Sequence, residues 1–255
     1  MGRRVFVCPG LIRAWAFDLL EDKMAGCPKL QQAEAGRRKG DQNLKEFSLP
    51  EAEEKRLYSI TKRFSDVIIA IAILLLVLPL VPVIIILIKI DTKGPLLFKQ
   101  KRIGKDGREF NLYKFRSMVE GAHKTVESLR QLSDSEGPIF KLKNDPRITS
   151  VGCFLRRSSL DELPQLINVL KGEMSIVGPR PNLPSEVAQY LSWQEKRLDV
   201  KPGITCFWQI AGRSHIGFHE WMRLDLQYIE KRGFRTDLMI ILKTFPAVIA
   251  RKGAY

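Results

Sequence analysis

The sequence predicts an α+β fold attached to a membrane by one re-entrant segment. Three observations support this fold class: a long apolar run, two prolines inside that run with basic residues on both of its sides, and a following region patterned as one β-hairpin and several amphipathic helices. We therefore expect a monotopic membrane protein with a helix-break-helix membrane segment, a small β-hairpin and interfacial helices.

Composition limits the classes of partner. The 255 residues include 42 Lys+Arg and 28 Asp+Glu, for a net charge of +14, which favours anionic partners such as nucleic acid, anionic lipid or a phosphorylated small molecule. Four cysteines, at positions 8, 27, 153 and 206, show neither zinc-site spacing nor the density of a disulfide scaffold. A reducing, cytoplasm-facing compartment is expected.

The apolar run extends from Val67 to Ile88, 22 residues without a charged or polar side chain. A straight helix of that length is roughly 33 Å long, which is enough to cross a hydrocarbon core of about 30 Å. Pro79 and Pro82 interrupt it just past its middle. Because an internal proline removes a backbone donor and clashes with the preceding turn, we expect a break that leaves the first helix only part-way into the bilayer.

Basic residues flank the apolar run on both sides. They are Lys55, Arg56, Lys62 and Arg63 before it, and Lys89, Lys93, Lys99, Lys101 and Arg102 after it. A spanning helix normally has excess positive charge on one side only. The flanks therefore favour a re-entrant segment with both ends in the cytoplasm, and a kinked single span is the alternative, since prolines are tolerated in spanning helices.

The C-terminal region predicts one hairpin and several helices. Residues 96–115 form two β-prone runs joined by Asp106-Gly107, a dipeptide typical of tight turns. Helical spacing covers the following segments: Gly121–Leu132, a helix after Ser158-Ser159, Glu186–Val200, Phe218–Arg232 and Asp237–Ile249. The last is expected to break at Pro246 and is amphipathic enough either to lie in the membrane interface or to pack in the core.

One dense polar run carries the candidate chemistry. The chain contains neither a Walker loop nor a dinucleotide fingerprint, and His215 and His219 lack a third metal ligand nearby. Asp161 and Glu162, by contrast, are adjacent carboxylates beside two arginines at the predicted start of a helix. Helix capping by the two preceding serines explains such acids. The alternative is a nucleophile or a hard-cation ligand for phosphate chemistry, since the neighbouring arginines and the helix dipole also attract phosphate.

Several ordered motifs from about residue 62 to residue 255 resemble the bacterial sugar transferases, the monotopic polyprenyl-phosphate phosphoglycosyl transferases. The matching motifs are Lys62-Arg63-x-x-Asp66, Gly94-Pro95, Gln100-x-Arg102-x-Gly104, Lys114-Phe-Arg-Ser-Met118, Asp145-Pro-Arg-Ile-Thr149, Ser159-Leu-Asp-Glu-Leu-Pro-Gln165, Gly178-Pro-Arg-Pro181, Pro202-Gly-Ile-Thr205, Trp208-Gln209 and Gly212-Arg213. The resemblance implies a re-entrant membrane helix and transfer of a sugar phosphate from a UDP-sugar to polyprenyl (undecaprenyl) phosphate, with release of UMP.

The resemblance also implies a role for each matching charged residue. Asp161 is the expected nucleophile, which forms a phosphosugar-aspartyl intermediate, and Glu162 is the expected ligand of Mg²⁺. Arg156 and Lys114 are expected to stabilise phosphoryl charge. Four further arginines are assigned to substrate binding: Arg102, Arg116, Arg180, which is expected to contact the nucleotide, and Arg213.

The predicted organisation follows from these assignments. Residues 1–54 form an N-terminal extension expected to be poorly ordered, residues 55–91 the membrane segment, and residues 92–255 a catalytic domain on the cytoplasmic face of the bacterial inner membrane. The expected partners are a UDP-sugar, polyprenyl phosphate and an anionic leaflet, with no nucleic acid and with homodimerisation left open. The ending and the run after Pro181 look most like members that use galactose.

Two departures and one alternative remain. The first departure is Cys206, which stands where the family usually has glycine and predicts a change in a tight loop near the site or a free thiol. The second is that the membrane-helix bundle that precedes this region in large members is not in the sequence. The alternative function is a membrane-tethered basic module that binds nucleic acid or anionic lipid. Release of UMP from a UDP-sugar distinguishes the two functions.

Overall fold

A computed structural model describes residues 52–122, 125–129, 139, 142, 144–212 and 216–249. The predicted N-terminal extension therefore lies outside the described residues, except for residues 52–54. The described part combines helices with two small sheets, which confirms the predicted α+β class.

The apolar segment consists of two helices joined by one 3-10 turn: α1 (Ala52–Val77), the turn (Leu78–Leu80) and α2 (Val81–Asp91). Pro79 lies in the turn and Pro82 in the first turn of α2, so the interruption lies where the prolines predict it. The stretch Leu57–Asp91 is long and apolar enough to cross a membrane, and most of its side chains are not buried by the protein.

The first arm of this segment, α1, docks on the C-terminal region through polar contacts. Both Nη atoms of Arg63 donate to the carbonyls at the end of a later helix, to Val169 O at 2.5 Å and Leu170 O at 2.8 Å. Asp66 Oδ1 accepts a hydrogen bond of 3.0 Å from Ile176 N. Ala70, fully buried, packs in the same apolar cluster as Val169.

A second set of contacts joins α1 to the last helix. Asp237 Oδ2 accepts from Tyr58 Oη at 2.9 Å and pairs with Lys62 Nζ at 2.7 Å. Its other oxygen accepts from Tyr228 Oη at 2.9 Å. One carboxylate therefore joins three helices.

The second arm, α2, returns to the same body. Ile84 and Ile88 are buried against Leu155, and Asp91 Oδ2 accepts a hydrogen bond of 3.1 Å from Val151 N. Leu163 packs against this apolar cluster and also against the cluster that contains Ala70. Residues on both sides of the proline turn thus contact neighbouring parts of one core.

The predicted hairpin is confirmed. Strand β1 (Leu97–Ile103) pairs antiparallel with β2 (Glu109–Phe115), in a register that sets Leu97 opposite Phe115. Asp106 and Gly107 both have positive φ, 57° and 73°, which is the left-handed conformation that this turn dipeptide adopts most readily.

The remaining elements follow in order: α3 (Val126–Leu129), α4 (Ser150–Arg157), a 3-10 turn (Leu160–Glu162), α5 (Gln165–Lys171), β3 (Ser175–Val177), α6 (Pro184–Val187), α7 (Ser192–Glu195), a 3-10 turn (Lys196–Asp199), β4 (Gly203–Thr205), α8 (Phe207–Ala211), α9 (Phe218–Lys231) and α10 (Phe234–Ile249). Strands β3 and β4 pair in parallel. A Cβ on Gly203 would lie 2.0 Å from Gly178 N, so only glycine permits this close approach.

Helix α9 confirms its prediction, whereas the predicted helix over Glu186–Val200 is wrong. The structure divides that stretch into α6, α7 and a 3-10 turn. Glu186 Oε2 accepts from Leu183 N and Gln194 Oε1 from Leu191 N, both at 2.8 Å. These side chains bond the backbone amides that begin each short helix, so two separate starts replace one continuous helix.

Two other helix predictions are changed in extent. Of Gly121–Leu132, only Val126–Leu129 is helical in the described residues. The break predicted at Pro246 is wrong, since α10 continues to residue 249. The fully buried Ile240 packs one face of α10 into the core, and the Thr244 hydroxyl donates to Ile240 O at 2.7 Å.

Candidate active site

The two candidate carboxylates lie in a 3-10 turn between α4 and α5. Asp161 is 6% exposed, and Ser159 just before the turn has φ 58°, a left-handed conformation that turns the chain sharply. The Ser158 hydroxyl donates backwards to Phe154 O, and the Ser159 side chain makes no capping bond. The alternative in which the serines cap a helix at these acids is therefore wrong, and the buried acids need another explanation.

Two cations meet Glu162 from different elements. Lys114, on β2, places Nζ 2.8 Å from Glu162 Oε1 and 3.9 Å from Asp161 Oδ2. Arg180, just after β3, places Nη2 3.0 Å from the same Glu162 oxygen. The structure thus brings together Asp161, Glu162, Lys114 and Arg180, four of the residues that the sequence predicts for the site; we call these four the carboxylate cluster.

Arg156 approaches the cluster from α4. Its Nε donates to Ser117 Oγ at 3.0 Å, which fixes the guanidinium. Burial lowers the pKa of Arg156, and the charge of Asp161 opposes that shift. An arginine remains cationic under such conditions. Arg156 therefore adds positive charge beside Asp161.

The environment separates the pKa values of the two carboxyls. Burial raises the pKa of Asp161, and the negative charge of Glu162 raises it further, against the opposing effect of Lys114. For Glu162 burial acts in the same direction, but Lys114 and Arg180 outweigh it and hold the pKa well below its usual range. Opposite shifts in adjacent acids are typical of groups with different tasks, here a firmly ionised Glu162 and a more basic Asp161.

Burial also lowers the pKa of Lys114, partly offset by Glu162. The carboxylate cluster thus holds both of its acids and both of its cations in a mostly dry setting, where charges act more strongly than in water. Such a site favours a ligand that brings several negative oxygens.

The side chain of Asn168 positions Lys114 against the acids, and the sequence did not single it out. Asn168, on α5 and fully buried, accepts from Tyr113 N at 3.1 Å and donates to Asn111 O at 2.7 Å. It therefore bonds the free edge of β2 as a neighbouring strand would, next to Lys114. A buried asparagine on the apolar face of a predicted helix was the available signal.

Arg180 is supported by a second group of residues that the sequence analysis missed. Its guanidinium lies 5.8 Å from the Trp208 ring, and its carbonyl accepts from Arg197 Nη2 at 2.6 Å. Arg197 also pairs with Asp225 at 2.5 Å and donates to Tyr190 Oη. The signal for this pair was Asp225 itself, a charged residue on the apolar face of α9.

Within the described residues, the other arginines predicted to bind substrate do not contact the two carboxylates. Arg102 donates to Pro181 O at 3.0 Å, beside Arg180, and burial lowers its pKa to about 10. Arg116 donates to Thr92 O at 2.6 Å and lies against Gly94, where it joins the end of α2 to β2. Arg213 lies outside the described residues. The substrate-binding roles of these arginines stay predictions.

The departure at Cys206 has a simple local structure. Cys206 is fully buried and its φ is −159°, extended backbone that any residue adopts, so a side chain is tolerated where the family usually has glycine. Burial raises the pKa of the thiol to about 12, which keeps it neutral.

The donor set of the carboxylate cluster fits magnesium rather than zinc. In the described residues, no group of three or more His, Cys, Asp and Glu side chains is arranged to hold a metal ion. Mg²⁺ needs no such group, because it commonly takes one or two carboxylates together with substrate phosphates and water. Glu162 offers one such carboxylate.

Comparison with known proteins gives consistent matches. Residues 57–251 match the family described as bacterial sugar transferase. The galactosyl transferase CpsE of Streptococcus agalactiae is 48% identical over 162 residues, which are 63% of this chain and 36% of that protein. The undecaprenyl-phosphate galactose phosphotransferase of Salmonella typhimurium is 42% identical over 170 residues, 64% of this chain and 35% of that protein.

A shorter relative matches along nearly its whole length. The exopolysaccharide production protein ExoY of Rhizobium meliloti is 38% identical over 215 residues, 82% of this chain and 95% of that protein. The chain therefore spans about a third of the two longer relatives and almost all of ExoY.

Proposed function

Because this chain belongs to the bacterial sugar transferase family, we propose that it moves a sugar 1-phosphate from a UDP-sugar to polyprenyl phosphate and releases UMP. The observation that carries the proposal is the carboxylate cluster, in which a buried Asp161 with a raised pKa lies beside Lys114 and Arg156. Membership of a transferase family favours this activity over the binding module.

The proposed reaction has two balanced steps. In the first, an Asp161 oxygen attacks the phosphorus that carries the sugar, the bond to the bridging oxygen breaks, and UMP leaves with the electron pair. In the second, an oxygen of polyprenyl phosphate attacks the same phosphorus, and the Asp161 carboxylate is released. The product is a polyprenyl diphosphate sugar, and the double displacement predicts ping-pong kinetics.

The cations of the site supply most of the catalysis in this proposal. Phosphoryl transfer depends mainly on positioning and on stabilising negative charge. Lys114 contacts both carboxylates and Arg180 contacts Glu162, so a diphosphate that enters exchanges these carboxylate contacts for phosphate contacts. Arg156 adds a third cation on the Asp161 side.

We propose Glu162 as the residue that holds Mg²⁺, together with substrate phosphate oxygens. Its depressed pKa keeps it ionised for this task. The ion would neutralise charge on the diphosphate. Glu162→Gln keeps the shape of the side chain and removes its charge, so we expect a weaker apparent affinity for Mg²⁺ with partial recovery at high Mg²⁺. Turnover that is independent of Mg²⁺ in the wild type would remove this assignment.

We propose a re-entrant topology with both ends of the apolar segment on the cytoplasmic face. Contacts on each side of the proline turn support it, since Arg63 and Asp66 bind the same body as Ile88 and Asp91. A straight helix over residues 63–91 would be roughly 42 Å long and would separate those contacts. The exposed apolar side chains of the segment would then face lipid.

The activity is tested with a panel of UDP-sugars, polyprenyl phosphate and Mg²⁺, with UMP release as the measurement. Without lipid acceptor, the wild type should release up to one equivalent of UMP and gain the mass of a sugar phosphate on Asp161. Absence of UMP release with every sugar would refute the function. Release that requires the acceptor, without an adduct, would refute the covalent step alone.

Topology is tested with single cysteines at Ser59 and Lys93 in a chain without its four native cysteines. Both positions should be protected from an impermeant thiol reagent in intact cells and become labelled after lysis. Labelling at only one of them in intact cells would establish a spanning helix. Joint replacement of Pro79 and Pro82 by leucine should shift the segment toward spanning.

A further inference from the structure

The face of the β-hairpin that carries Lys114 also carries a phenylalanine. Phe98 on β1 lies opposite Lys114 on β2, and residues opposite each other in an antiparallel pair point to the same face, with Cβ atoms about 4.5–5.5 Å apart. Lys114 Nζ lies 2.8 Å from Glu162 Oε1 and 3.9 Å from Asp161 Oδ2. The phenyl ring therefore lies next to the side chain that reaches both acids of the carboxylate cluster.

Phe98 differs from the other large apolar residues on this face. Phe110 and Leu112, which alternate along β2 with Lys114, are 9% and 3% exposed and pack in the apolar cluster that contains Ala70. Phe98 is 41% exposed. A phenyl group left partly in water forgoes much of the stabilisation that burial provides, so its exposed area is available to an apolar ligand.

The region between the membrane segment and Phe98 is apolar. Leu96, two residues before Phe98, packs against Ile84 and Ile88 of α2. Leu160, at the start of the turn that holds the two acids, packs against the same cluster. Both the start of β1 and the turn with the acids therefore adjoin the second arm of the apolar segment. The hydrocarbon chain of a lipid phosphate that reaches the acids along this arm would lie near the phenyl ring.

The other end of the same face of β1 is polar. Gln100 and Arg102 follow Phe98 at alternate positions and so share its face. Arg102 donates to Pro181 O at 3.0 Å and to Gln100 Oε1 at 2.7 Å, and the positive charge of Arg180 adds to the lowering of its pKa. The face thus changes from apolar to cationic along β1, which suits a lipid at the first end and a nucleotide diphosphate at the second.

We propose that Phe98 contacts the isoprenoid chain of the polyprenyl phosphate acceptor, at the units next to the phosphate, and so favours a lipid over a water-soluble phosphate. The inference rests on the proposed function and extends it by naming a residue that selects the acceptor. Lys114 binds the acceptor phosphate in this arrangement, and the phenyl ring covers the adjoining hydrocarbon. Phe98 acts only in the second step, because a UDP-sugar has no hydrocarbon chain.

The test measures the two steps separately, on the full chain in lipid nanodiscs. Phe98→Ala removes the ring, so kcat/KM for polyprenyl phosphate should fall by about 5-fold or more, mainly through KM. Release of UMP without acceptor should stay within about 2-fold of the wild type, since the first step does not use the ring. Farnesyl phosphate, a much shorter acceptor, should show a similar loss, because the contact is next to the phosphate.

Further variants separate lipid contact from structural support. Phe98→Leu keeps an apolar side chain and should retain kcat/KM for the acceptor within about 2-fold of the wild type. Leu97→Ala removes a side chain of similar exposure, 37%, from the opposite face of β1 and should leave that kcat/KM unchanged. Phe98→Gln, which replaces the ring by a polar chain, gives the same comparison with Phe98→Leu if Phe98→Ala does not fold.

Three results would overturn the proposal. Equal losses in UMP release and in transfer to the acceptor would show that Phe98 only supports Lys114. An unchanged kcat/KM for polyprenyl phosphate would show that the ring does not contact the acceptor, and a loss confined to the long acceptor would place the contact away from the phosphate. Wild-type protein that releases no UMP from any UDP-sugar would instead refute the proposed function, so the two failures are distinguishable.

Discussion

The chain holds two groups of buried opposite charges that differ in how exposed their side chains are. In the carboxylate cluster, Lys114 and Arg180 share one oxygen of Glu162, and their side chains are 18% and 27% exposed. In the second group, Arg197 and Asp225 form one close pair, with side chains 3% and 0% exposed. The first group is accessible to a ligand, and the second is closed.

This difference in exposure predicts different roles, a ligand site for the first group and a structural support for the second. Cations that a ligand can reach can exchange a carboxylate for a phosphate oxygen at low cost, because both partners are charged. A buried ion pair that no ligand can reach makes no such exchange. The Arg197–Asp225 pair acts instead by fixing the backbone of Arg180, whose carbonyl accepts a hydrogen bond from Arg197. Substitutions in the two groups should therefore affect different measurements, activity in the first and stability in the second.

The largest expected effect is on activity in the carboxylate cluster. Asp161→Asn removes the proposed nucleophile and keeps the shape of the side chain, so turnover should fall on the order of 10³-fold or more, with no covalent adduct. Circular dichroism and the thermal midpoint should stay near the wild type. Asp106→Asn, an exposed change in the hairpin turn, is the matched control and should retain full activity. Near wild-type turnover of Asp161→Asn would contradict the assignment.

The next effect is on stability at the closed pair. Arg197→Met leaves a buried Asp225 carboxylate without its cation, and breaking a buried pair in this way costs about 3–5 kcal/mol. Denaturant unfolding at neutral pH measures it. Asp225→Asn should cost less, because the amide oxygen still accepts from Arg197. A larger loss for Asp225→Asn than for Arg197→Met would show that the cation, not the carboxylate, is the group that needs its partner.

A pH dependence of stability should follow from the same pair. Burial, opposed by Arg197, raises the pKa of Asp225 to about 6 from an ordinary 3.8. The Asp225 carboxyl therefore binds its proton more tightly in the folded chain than in the unfolded chain. The free energy of unfolding that this residue contributes falls as pH rises from about 4 to about 6, by up to about 3 kcal/mol. The difference in unfolding free energy between wild type and Asp225→Asn should shrink over that range. A constant difference would place the pKa of Asp225 near its ordinary value.

The smallest effect is expected for an ion pair in water. Lys101 and Glu109 on the hairpin are 3.0 Å apart but 70% and 50% exposed. Lys101→Met should change the free energy of unfolding by less than about 1 kcal/mol, and added salt should reduce the change. A cost as large as that of Arg197→Met would show that burial is not what distinguishes the pairs.

Local sequence signals predicted the elements whose cause is local. Asp106-Gly107 determines its turn by backbone preference alone, and Pro79 interrupts its helix by removing a donor. The adjacent acids Asp161 and Glu162 were recognisable from the sequence and from the family resemblance. What stayed open was whether they cap a helix, because that depends on where two serine hydroxyls point.

Contacts between distant residues were not predictable in the same way. Asn168 meets β2 57 residues earlier in the chain, and Arg197 meets Asp225 28 residues later. No periodicity encodes such pairs. The predicted helix over residues 186–200 failed for a related reason, since side-chain bonds from Glu186 and Gln194 to nearby amides outweighed a correct apolar spacing.

The pairing of Lys62 with Asp237 has a consequence for how the chain is made. The two residues are 175 positions apart, so the first arm of the apolar segment leaves the ribosome long before its carboxylate partner exists. Until residue 237 emerges, Tyr58 and Lys62 depend on water or lipid headgroups. The Asp237 contacts therefore complete the docking of the first arm late in synthesis, and nascent chains halted before α10 would hold that arm only by its contacts with earlier residues such as Val169 and Ile176.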